Sequence, residues 1–507
     1  MDIGTTLVRN ARRTPHKTAI HYGEKSYSYV EFNREVNKLA NGLISRGVKK
    51  GDKIALMMKN SDTYMVTFYA IMKAGAVAVP VNFRLTAKEV DYILNDSDAS
   101  IVFFDGEYAE LVHEASTEKV ALQVSAGPTS NGQTRLEEVT TIDESEPGIT
   151  VDEWDDAEIL YTSGTTGNPK GALFDHHRIL HVAFSTSIMM KIGPEDNLFH
   201  VAPLFHSAQL NLFMITATYL GSTQVIHQNF DPVQALKAID EHQISLFFGI
   251  PTMYNFFLQV PDKEKYDLSS VKRCGYGAAP MPVPLLEKSM EMFGHDQFFN
   301  MCGLTEGGPG GVLLWPEDHK TKLGAGGRAM LNTEARVVTD SGEDVHPGQV
   351  GEFIIRSEMV MKSYYNKPEE TQKALRDGWL YTGDLATIDE EGYVTLVDRK
   401  KDMIISGGEN VYSTEVEQVL YKHPKILEAA VVGLPDDTWG ERVVAIVVLK
   451  QGETIDYVEL KDFCRKHLAG YKMPTDFFEE KELLRNASGK VMKYKLRESL
   501  KAGSSKY

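Results

Sequence analysis

Residues 161–171 read YTSGTTGNPKG, and the apolar run 157–161 that leads into them is typical of the end of a β-strand. Gly164 and Gly167 permit positive φ angles, so the backbone N–H groups can come close to a ligand. The small hydroxyl residues of this stretch are Thr162, Ser163, Thr165 and Thr166, and its one cation is Lys170. A plain flexible turn is the alternative, but the strand before the loop and the lysine after it favour a phosphate-binding loop.

The stretch differs from a P-loop of the GxxxxGK[ST] type. Lys170 follows Pro169 instead of a glycine, and a proline at this position opposes the helix that a P-loop lysine begins. The sequence therefore predicts a phosphate loop of another kind.

The composition indicates an ordinary globular protein with more than one domain. The chain has 507 residues, of which 42% are hydrophobic and 25% are charged, and this length exceeds what one hydrophobic core normally supports. Its formal net charge of −17 opposes non-specific binding of nucleic acid. We expect no nucleic-acid partner.

The cysteines and the apolar segments indicate a cytoplasmic location. Cys274, Cys302 and Cys464 lie far apart without CxxC spacing, which opposes a disulfide framework or a zinc site. The N-terminal segment has no apolar signal region, and the apolar stretch 210–220 is too short to span a bilayer. We expect no transmembrane segment and leave peripheral membrane contact and a homodimer open.

Alternating strands and amphipathic helices in the first 400 residues predict an α/β fold. We expect strands at 53–58, 74–80, 100–104 and 222–227, with helices at 29–46 and 86–95. Residues 333–400 are predicted to form a β-rich subdomain. The predicted architecture is a large N-terminal domain (1–399) of layered α/β subdomains plus this subdomain, and a small α+β C-terminal domain (400–507) that ends in a polar tail.

Six further short segments stand out along the chain. They read APLFHSAQL (202–210), GYGAAP (275–280), NMCGLTE (300–306), YTGD (381–384), VDRKKDMIISGGEN (397–410) and NASGK (486–490). Together with the loop at 161–171, in this order, they resemble the acyl-CoA synthetases of the adenylate-forming superfamily, which also includes luciferases and peptide-synthetase adenylation domains. The likeness covers nearly the whole chain and is strongest to medium- and long-chain fatty-acyl-CoA synthetases.

The resemblance implies an ATP site with Mg²⁺. Residues 162–167 and Lys170 would hold the β- and γ-phosphates, and Glu306 would bind Mg²⁺, assisted by Thr162, since a hard cation prefers oxygen ligands. Thr305 would approach the α-phosphate. His206 would lie beside the acyl carboxylate, where the alternative is a histidine satisfied inside an apolar segment.

The resemblance also implies how adenosine binds. The residues expected around adenine are Gly277, Ala278, Ala279, Pro280, Asn300, Met301, Cys302 and Gly303. Cys302 replaces the aromatic residue that relatives usually carry, which puts adenine stacking at this position in doubt. Asp384 would accept from both ribose hydroxyls, with Arg399 as a second ribose ligand. Tight turns are the alternatives for the glycine-rich segments.

The C-terminal motifs imply a mobile small domain. Lys401 falls where the family hinges its two domains, although an ordinary linker is the alternative. Ser406, Gly407 and Gly408 would lie along the pantetheine path of coenzyme A after a rotation. Outside this motif set, Lys490 would be an ordinary surface lysine. Within it, the resemblance implies that Lys490 bridges the acyl carboxylate and the α-phosphate.

The resulting hypothesis is an ATP-dependent fatty-acyl-CoA synthetase that uses Mg²⁺ and coenzyme A and forms acyl-AMP and pyrophosphate first. Residues 199–221 contain no Asp, Glu, Lys or Arg, which disfavours dicarboxylates and amino acids. Aromatic residues could line an acyl tunnel or belong to the core: Phe247, Phe248, Tyr254, Phe256 and Phe257. The rivals are an aryl-acid CoA ligase, a luciferase-like oxygenase and a non-enzymatic nucleotide-binding module.

Overall fold

A computed structural model describes residues 1–115, 119–162, 168–279, 281–485 and 491–501. These residues form two compact units. The first contains the described residues up to Ala335 together with Ile355–Leu380, and the second contains Arg336–Ile354 and the described residues from Tyr381 onward. The predicted domain boundary between residues 399 and 400 stays a prediction.

The described strands are β1 (Thr18–Tyr22), β2 (Lys25–Ser28), β3 (Lys53–Met57), β4 (Val77–Pro80), β5 (Ala99–Phe104), β6 (Leu122–Ser125), β7 (Thr134–Arg135), β8 (Asp156–Thr162), β9 (Lys170–Asp175), β10 (Asn197–His200), β11 (Thr223–Ile226), β12 (Leu246–Gly249), β13 (Arg273–Gly277), β14 (Phe298–Gly303), β15 (Gly311–Leu314), β16 (Arg328–Ala329), β17 (Thr333–Val338), β18 (Gly351–Ser357), β19 (Ser363–Tyr364), β20 (Leu375–Arg376), β21 (Trp379–Ile388), β22 (Val394–Arg399), β23 (Ile404–Ser406), β24 (Glu409–Val411), β25 (Ile426–Asp436), β26 (Gly440–Leu449) and β27 (Asp476–Glu479).

The described α-helices are α1 (Ile3–Arg13), α2 (Tyr29–Ser45), α3 (Asp62–Lys73), α4 (Ala87–Asp96), α5 (Ala109–Ala115), α6 (Leu136–Val139), α7 (His176–Met189), α8 (Thr216–Leu220), α9 (Pro232–Glu241), α10 (Pro251–Gln259), α11 (Val283–Phe293), α12 (Pro368–Ala374), α13 (Ser413–Tyr421), α14 (Tyr457–His467) and α15 (Lys493–Lys501). A π-helix, Ala208–Ile215, precedes α8 directly. Within the described ranges, no helix is long and apolar enough to cross a membrane.

Two large sheets organise the first unit. In the described residues, one has nine strands in the order β16-β15-β14-β13-β12-β10-β11-β1-β2, and the other has eight in the order β19-β9-β8-β4-β3-β5-β6-β7. The central pairs of both sheets are parallel. Buried parallel strands read as continuous apolar runs, and this explains why the sequence pattern reveals them.

Both faces of the nine-stranded sheet carry apolar clusters. Phe247 and Phe248 are neighbours on β12, so their side chains point to opposite faces. Phe247 packs with residues of α9–α11, whereas Phe248 packs with residues of α7 and the π-helix. The segment that contains His206 therefore leads into the second of these two layers.

The remaining strands form smaller sheets. One sheet has the order β17-β18-β21-β20 with β22 paired to β21. In the second unit, the order is β24-β23-β26-β25, and β27 pairs with β26 in parallel. α13 and α14 pack on one apolar cluster of this sheet, and α15 contributes to a second cluster.

The predicted α/β class is confirmed, and the predicted elements are present with bounds that differ by up to three residues. The polar tail is the exception. β27 and α15 lie within it, and Phe477, Leu483 and Leu496 are buried. The lysine-rich sequence obscures the apolar stripe of α15, whose inward residues are few.

Candidate active site

The strands on either side of the predicted phosphate loop form an antiparallel pair. Thr162 at the end of β8 lies opposite Lys170 at the start of β9, and the Thr162 hydroxyl donates to the Lys170 carbonyl at 3.4 Å. Lys170 begins a strand instead of a helix, as Pro169 predicts. The other predicted phosphate-loop residues, 163–167, lie outside the described residues.

Lys170 is held by two side chains that the sequence did not single out. Its Nζ lies 2.8 Å from Glu370 Oε2 and 4.7 Å from the centre of the Tyr364 ring. The hydrogen bond from Lys170 lowers the pKa of Glu370 to about 2. The ammonium group is therefore oriented by a carboxylate on α12.

Glu306 belongs to the same set of contacts. It lies in the short 3₁₀ turn Thr305–Gly307 after β14, and its carbonyl accepts from Met361 N at 2.8 Å. The Tyr364 hydroxyl donates to Glu306 Oε1 at 2.9 Å. Tyr364 thus contacts both Lys170 and Glu306, which places the predicted phosphate and Mg²⁺ residues together.

The described residues fit a magnesium ion that is bound mainly through substrate phosphates. Among them, no group of three or more His, Cys, Asp or Glu side chains could hold a metal. Mg²⁺ commonly uses one or two carboxylates together with phosphates and waters. Glu306, which Tyr364 orients, would provide such a carboxylate.

His206 and Thr305 are brought to one place by Ser207. The hydroxyl groups of Ser207 and Thr305 lie 3.3 Å apart, and His206 Nδ1 accepts from Ala208 N at 3.4 Å. The predicted carboxylate neighbour and the predicted α-phosphate neighbour therefore lie on adjoining segments. Tyr364 lies outside the quoted motifs, and Ser207 lies within the segment 202–210, whose sequence gave no sign of the link to Thr305.

Two glycines of the predicted adenine segment are required by the backbone itself. A Cβ on Gly277 would lie 2.4 Å from the Met301 carbonyl oxygen, and one on Gly303 would lie 2.1 Å from the Pro309 carbonyl oxygen. Gly277 and Met301 are paired between β13 and β14. Close strand packing therefore accounts for these glycines independently of any ligand.

The rest of the segment has a constrained backbone. Ala278 has φ +65°, which non-glycine residues rarely adopt. Asn300 Nδ2 donates to the Ala325 carbonyl at 3.0 Å, and Cys302 is half-buried and pairs in register with Val312 of β15. Ala279 directly follows Ala278 in the chain, and Pro280 lies outside the described residues.

In the second unit, the two predicted ribose ligands lie opposite each other. Asp384 on β21 pairs with Arg399 on β22, and Arg399 Nε lies 2.7 Å from Asp384 Oδ1. A cavity of about 380 Å³ is lined by Thr382, Gly383, Arg399, Lys400 and Lys401. Partial desolvation, followed by repulsion from Arg399, lowers the pKa of Lys401 to about 8.

The predicted pantetheine segment is a tight hairpin. Ser406 and Glu409 pair across β23 and β24, and the two residues between them have φ angles of +62° (Gly407) and +83° (Gly408). Two-residue hairpins of this kind require positive φ at both positions. Gly407 N also donates to the Trp439 carbonyl at 2.8 Å. Lys490 lies outside the described residues.

The aromatic residues proposed for an acyl tunnel separate into three groups. Phe247, Tyr254 and Phe257 are core residues of one cluster, and Phe256 is 44% exposed. Phe248 alone faces the layer with α7, where a Cβ on Gly275 would lie 3.1 Å from it.

The same layer is rich in methionine. Met190 and Met301 lie 3.7 Å from the position that a Cβ would take on Gly275. A surface cavity of about 760 Å³ is lined by Met189, Met190 and other residues of the first unit, including Phe299 and Met330. Of the predicted site residues that the structure describes, none lines this cavity.

Comparison with known proteins identifies the family. The AMP-binding enzyme family matches residues 7–365, and the AMP-binding enzyme C-terminal domain matches residues 415–490. A feruloyl-CoA synthase from Amycolatopsis sp is 38% identical over 98% of both chains. The long-chain-fatty-acid–CoA ligase FadD13 of Mycobacterium tuberculosis (strain ATCC 25618 / H37Rv) is 35% identical over 99% of both chains.

A solved structure agrees with these matches. The o-succinylbenzoate CoA synthetase MenE from Bacillus subtilis, in complex with its acyl-adenylate intermediate, superposes with a TM-score of 0.86 at 31% identity and covers 98% of this chain and 97% of its own. The fold and the motifs together define the class of protein: an α/β protein of two units that carries the motif set of acid-activating enzymes. The chain belongs to the AMP-binding enzyme family.

Proposed function

We propose that this AMP-forming acid–CoA ligase activates an apolar monocarboxylic acid, with fatty acids as the first candidates. The observation that carries the proposal is the absence of charged side chains from the segment that contains His206. Residues 199–221 contain no Asp, Glu, Lys or Arg, and the layer next to this segment consists of Phe248, Met190 and other apolar side chains. A second charge on the acid would have no partner in that segment.

In the first step, a carboxylate oxygen of the acid attacks the α-phosphorus of ATP. The new bond joins that oxygen to phosphorus, and the bond to the β-phosphate oxygen breaks, which gives acyl-AMP and pyrophosphate. His206 lies beside the carboxylate, Thr305 binds the α-phosphate, and Lys170 stabilises the departing pyrophosphate. A Mg²⁺ held by Glu306 would neutralise charge on the phosphate oxygens.

In the second step, the sulfur of coenzyme A bonds to the acyl carbon and the bond from that carbon to the phosphate oxygen breaks, so AMP leaves and the thiol proton passes to solvent. Activation replaces a poor leaving group, hydroxide, by a good one, AMP. Asp384 and Arg399 bind the ribose, and Lys490 serves the first step only. A rotation of residues 400–507 about Lys401 brings Ser406, Gly407 and Gly408 to the pantetheine chain.

Aryl acids are the second candidate substrate class. A feruloyl-CoA synthase is 38% identical to this chain over 98% of its length, and the methionines next to Gly275 have flexible side chains that adapt to ligands of different shape. Aliphatic and aromatic acids would use the same catalytic residues.

One assay separates these candidates. AMP release is measured with ATP, Mg²⁺ and coenzyme A across straight-chain acids from acetate to palmitate, and with benzoate, coumarate and ferulate. The largest kcat/KM is expected with a fatty acid of medium or long chain. A preference for coumarate or ferulate would instead select the aryl-acid alternative.

Further measurements with the same substrates address the other rivals. Light emission or oxygen uptake with the acid substrate would identify a luciferase-like oxygenase. Pyrophosphate release that does not depend on any carboxylic acid would overturn the ligase proposal. The cytoplasmic location and the oligomeric state remain predictions from the sequence.

A further inference from the structure

The loop that carries His206 is bound by a side chain from a distant part of the sequence. Asn60, which is 2% exposed, accepts from Leu204 N through Oδ1 and donates to the Ala202 carbonyl through Nδ2, both at 2.8 Å. One planar amide thus provides both a donor and an acceptor, as a neighbouring β-strand would. The bound residues lie four and two positions before His206.

Tyr64 binds the same loop. It lies on the first turn of α3, a helix whose start is fixed by Ser61 accepting from Tyr64 N. Its buried hydroxyl donates to the Leu204 carbonyl at 2.9 Å. Asn60 and Tyr64 therefore satisfy both backbone groups of Leu204, and the loss of either would leave a buried polar group without its partner.

The other end of the loop is fixed by a buried histidine. Gln209 Nε2 lies 2.6 Å from His200 Nδ1, and His200 Nε2 lies 2.9 Å from Gln224 Oε1. Since an amide nitrogen only donates, His200 accepts at Nδ1 and donates from Nε2. Burial lowers the pKa of His200 to about 4, so the imidazole is neutral at pH 7.

This network continues into the π-helix that follows His206. Gln224 Nε2 donates to the Thr218 hydroxyl at 3.0 Å, and that hydroxyl donates to the Met214 carbonyl at 3.3 Å. Gln209 and Met214 are both residues of the π-helix Ala208–Ile215. π-Helices concentrate at functional sites because they place side chains that a regular helix would not.

We propose that Asn60 and Tyr64 are positioning residues for acid binding, because they hold the Val201–Ser207 loop so that His206 and Ser207 meet the carboxylate site beside Thr305. The inference rests on the proposed function. It assigns Asn60 and Tyr64, which lie outside every motif of the sequence, to the binding of the acid. ATP binding is assigned to the contacts of Lys170 and Glu306. His200 and Gln209 hold the far end of the same loop.

Kinetics with two matched pairs of variants test the inference. Asn60→Ala is compared with Asn37→Ala, since Asn37 is an equally buried amide that bonds Lys73 and Glu144 instead. Tyr64→Phe is compared with Tyr29→Phe, since Tyr29 is a fully buried tyrosine whose hydroxyl donates to the Ser222 carbonyl. Acid-dependent pyrophosphate release gives the KM for the acid and for ATP separately.

We expect Asn60→Ala to raise the KM for the acid by about 10-fold or more and Tyr64→Phe by about 3-fold, with the KM for ATP changed less than about 2-fold. The control variants should leave the ratio of the two KM values unchanged. An unchanged ratio in both test variants, or an equal change in the controls, would overturn the proposal. If Asn60→Ala does not fold, the tyrosine pair decides.

Amide hydrogen exchange tests the loop contacts without any reaction. Exchange at residues 201–207 should be faster in Asn60→Ala than in wild type and unchanged in Asn37→Ala. Equal exchange in both would overturn the positioning role. Wild-type protein that shows no acid-dependent pyrophosphate release would defeat the proposed function instead, so the two failures are distinguishable.

Discussion

Glu306 and Tyr364 illustrate what a single hydrogen bond adds to a motif residue. The Tyr364 hydroxyl donates to Glu306 Oε1 at 2.9 Å, which restricts the carboxylate to one orientation. Residues that orient a metal ligand commonly change metal affinity or activity by about 10- to 100-fold when they are mutated. A motif search finds Glu306 but gives no information on its orientation.

We predict that Tyr364→Phe raises the Mg²⁺ concentration needed for half-maximal acid-dependent pyrophosphate release by about 10-fold. The variant keeps the aromatic ring that faces Lys170 and loses only the hydroxyl. Tyr365→Phe is the matched control, because its hydroxyl donates to Asp98 instead. Equal Mg²⁺ requirements in the two variants would contradict the role of Tyr364.

Glu158 is a buried carboxyl group that the proposed reaction does not use. It is fully buried on β8, and burial raises its pKa to about 8, with Asn211 as a polar neighbour that acts in the opposite direction. Between its ordinary pKa and about 8, the folded protein keeps a proton that the unfolded chain releases. Stability therefore falls as the pH rises through this range.

We predict that Glu158→Gln becomes progressively more stable than wild type between pH 6.5 and 8, by up to ~1.4 kcal/mol per pH unit. His176 and His200 have pKa values lowered to about 4, and the stability that depends on them is lost as the pH falls below 6.5. The chosen window excludes that effect. Thermal unfolding at pH 6.5, 7.25 and 8 measures the difference, and a constant difference would contradict the assignment.

At the scale of elements, the β23–β24 hairpin explains its glycines without a ligand. Both turn residues have positive φ, and a Cβ on Gly407 would lie 3.0 Å from Trp439 Cε3. No atom of the described residues lies within 4 Å of the corresponding position on Gly408. The turn therefore accounts for both glycines. Whether a substrate runs beside Gly408 can be tested only by adding a side chain at that position.

We predict that Gly408→Asn slows thioester formation by about 10-fold and leaves acyl-AMP formation unchanged. Asparagine is accepted at this kind of turn, so the unfolding temperature should change by less than about 3 °C. Gly452→Asn is the matched control, since Gly452 also has positive φ (+82°) and no atom of the described part of the chain lies within 4 Å of its Cβ position. Unchanged thioester formation in Gly408→Asn would leave the turn as the only role of these glycines.

At the scale of the whole molecule, the proposed reaction needs two arrangements of the same chain. Lys490 is assigned to adenylation and the Ser406–Gly408 segment to thioester formation, and a rotation about Lys401 connects the two. This two-arrangement hypothesis comes from the motif set of the family. It concerns the order of adenylation and thioester formation.

We predict that Lys490→Ala slows acyl-AMP formation by about 10²-fold or more, by loss of a cation that stabilises the transition state. Thioester formation from supplied acyl-AMP should be largely spared. Lys481→Ala serves as the control, since Lys481 is an exposed lysine that precedes Lys490 by nine positions in the sequence. Equal losses in both half-reactions of Lys490→Ala would contradict the two-arrangement hypothesis.

Local patterns predicted the architecture well where burial is continuous. The strands at β3, β5 and β11 and the helices α2 and α4 appear in the sequence because their apolar periodicity survives in one segment. The pattern failed at β27 and α15, where a few inward residues lie among many lysines, and at the π-helix, whose hydrogen bonding leaves no simple period.

The sequence by itself determined the family, the α/β class and the residue types of the site, because motifs and periodicity are local properties of the chain. The tertiary structure decided which residues support them. Tyr364 reaches Glu306 across 58 positions and Asn60 reaches Leu204 across 144, and such contacts exist only after the sheets have formed. The structure also separated glycines required by close strand packing from glycines available to a ligand, since that distinction depends on what lies beside the backbone.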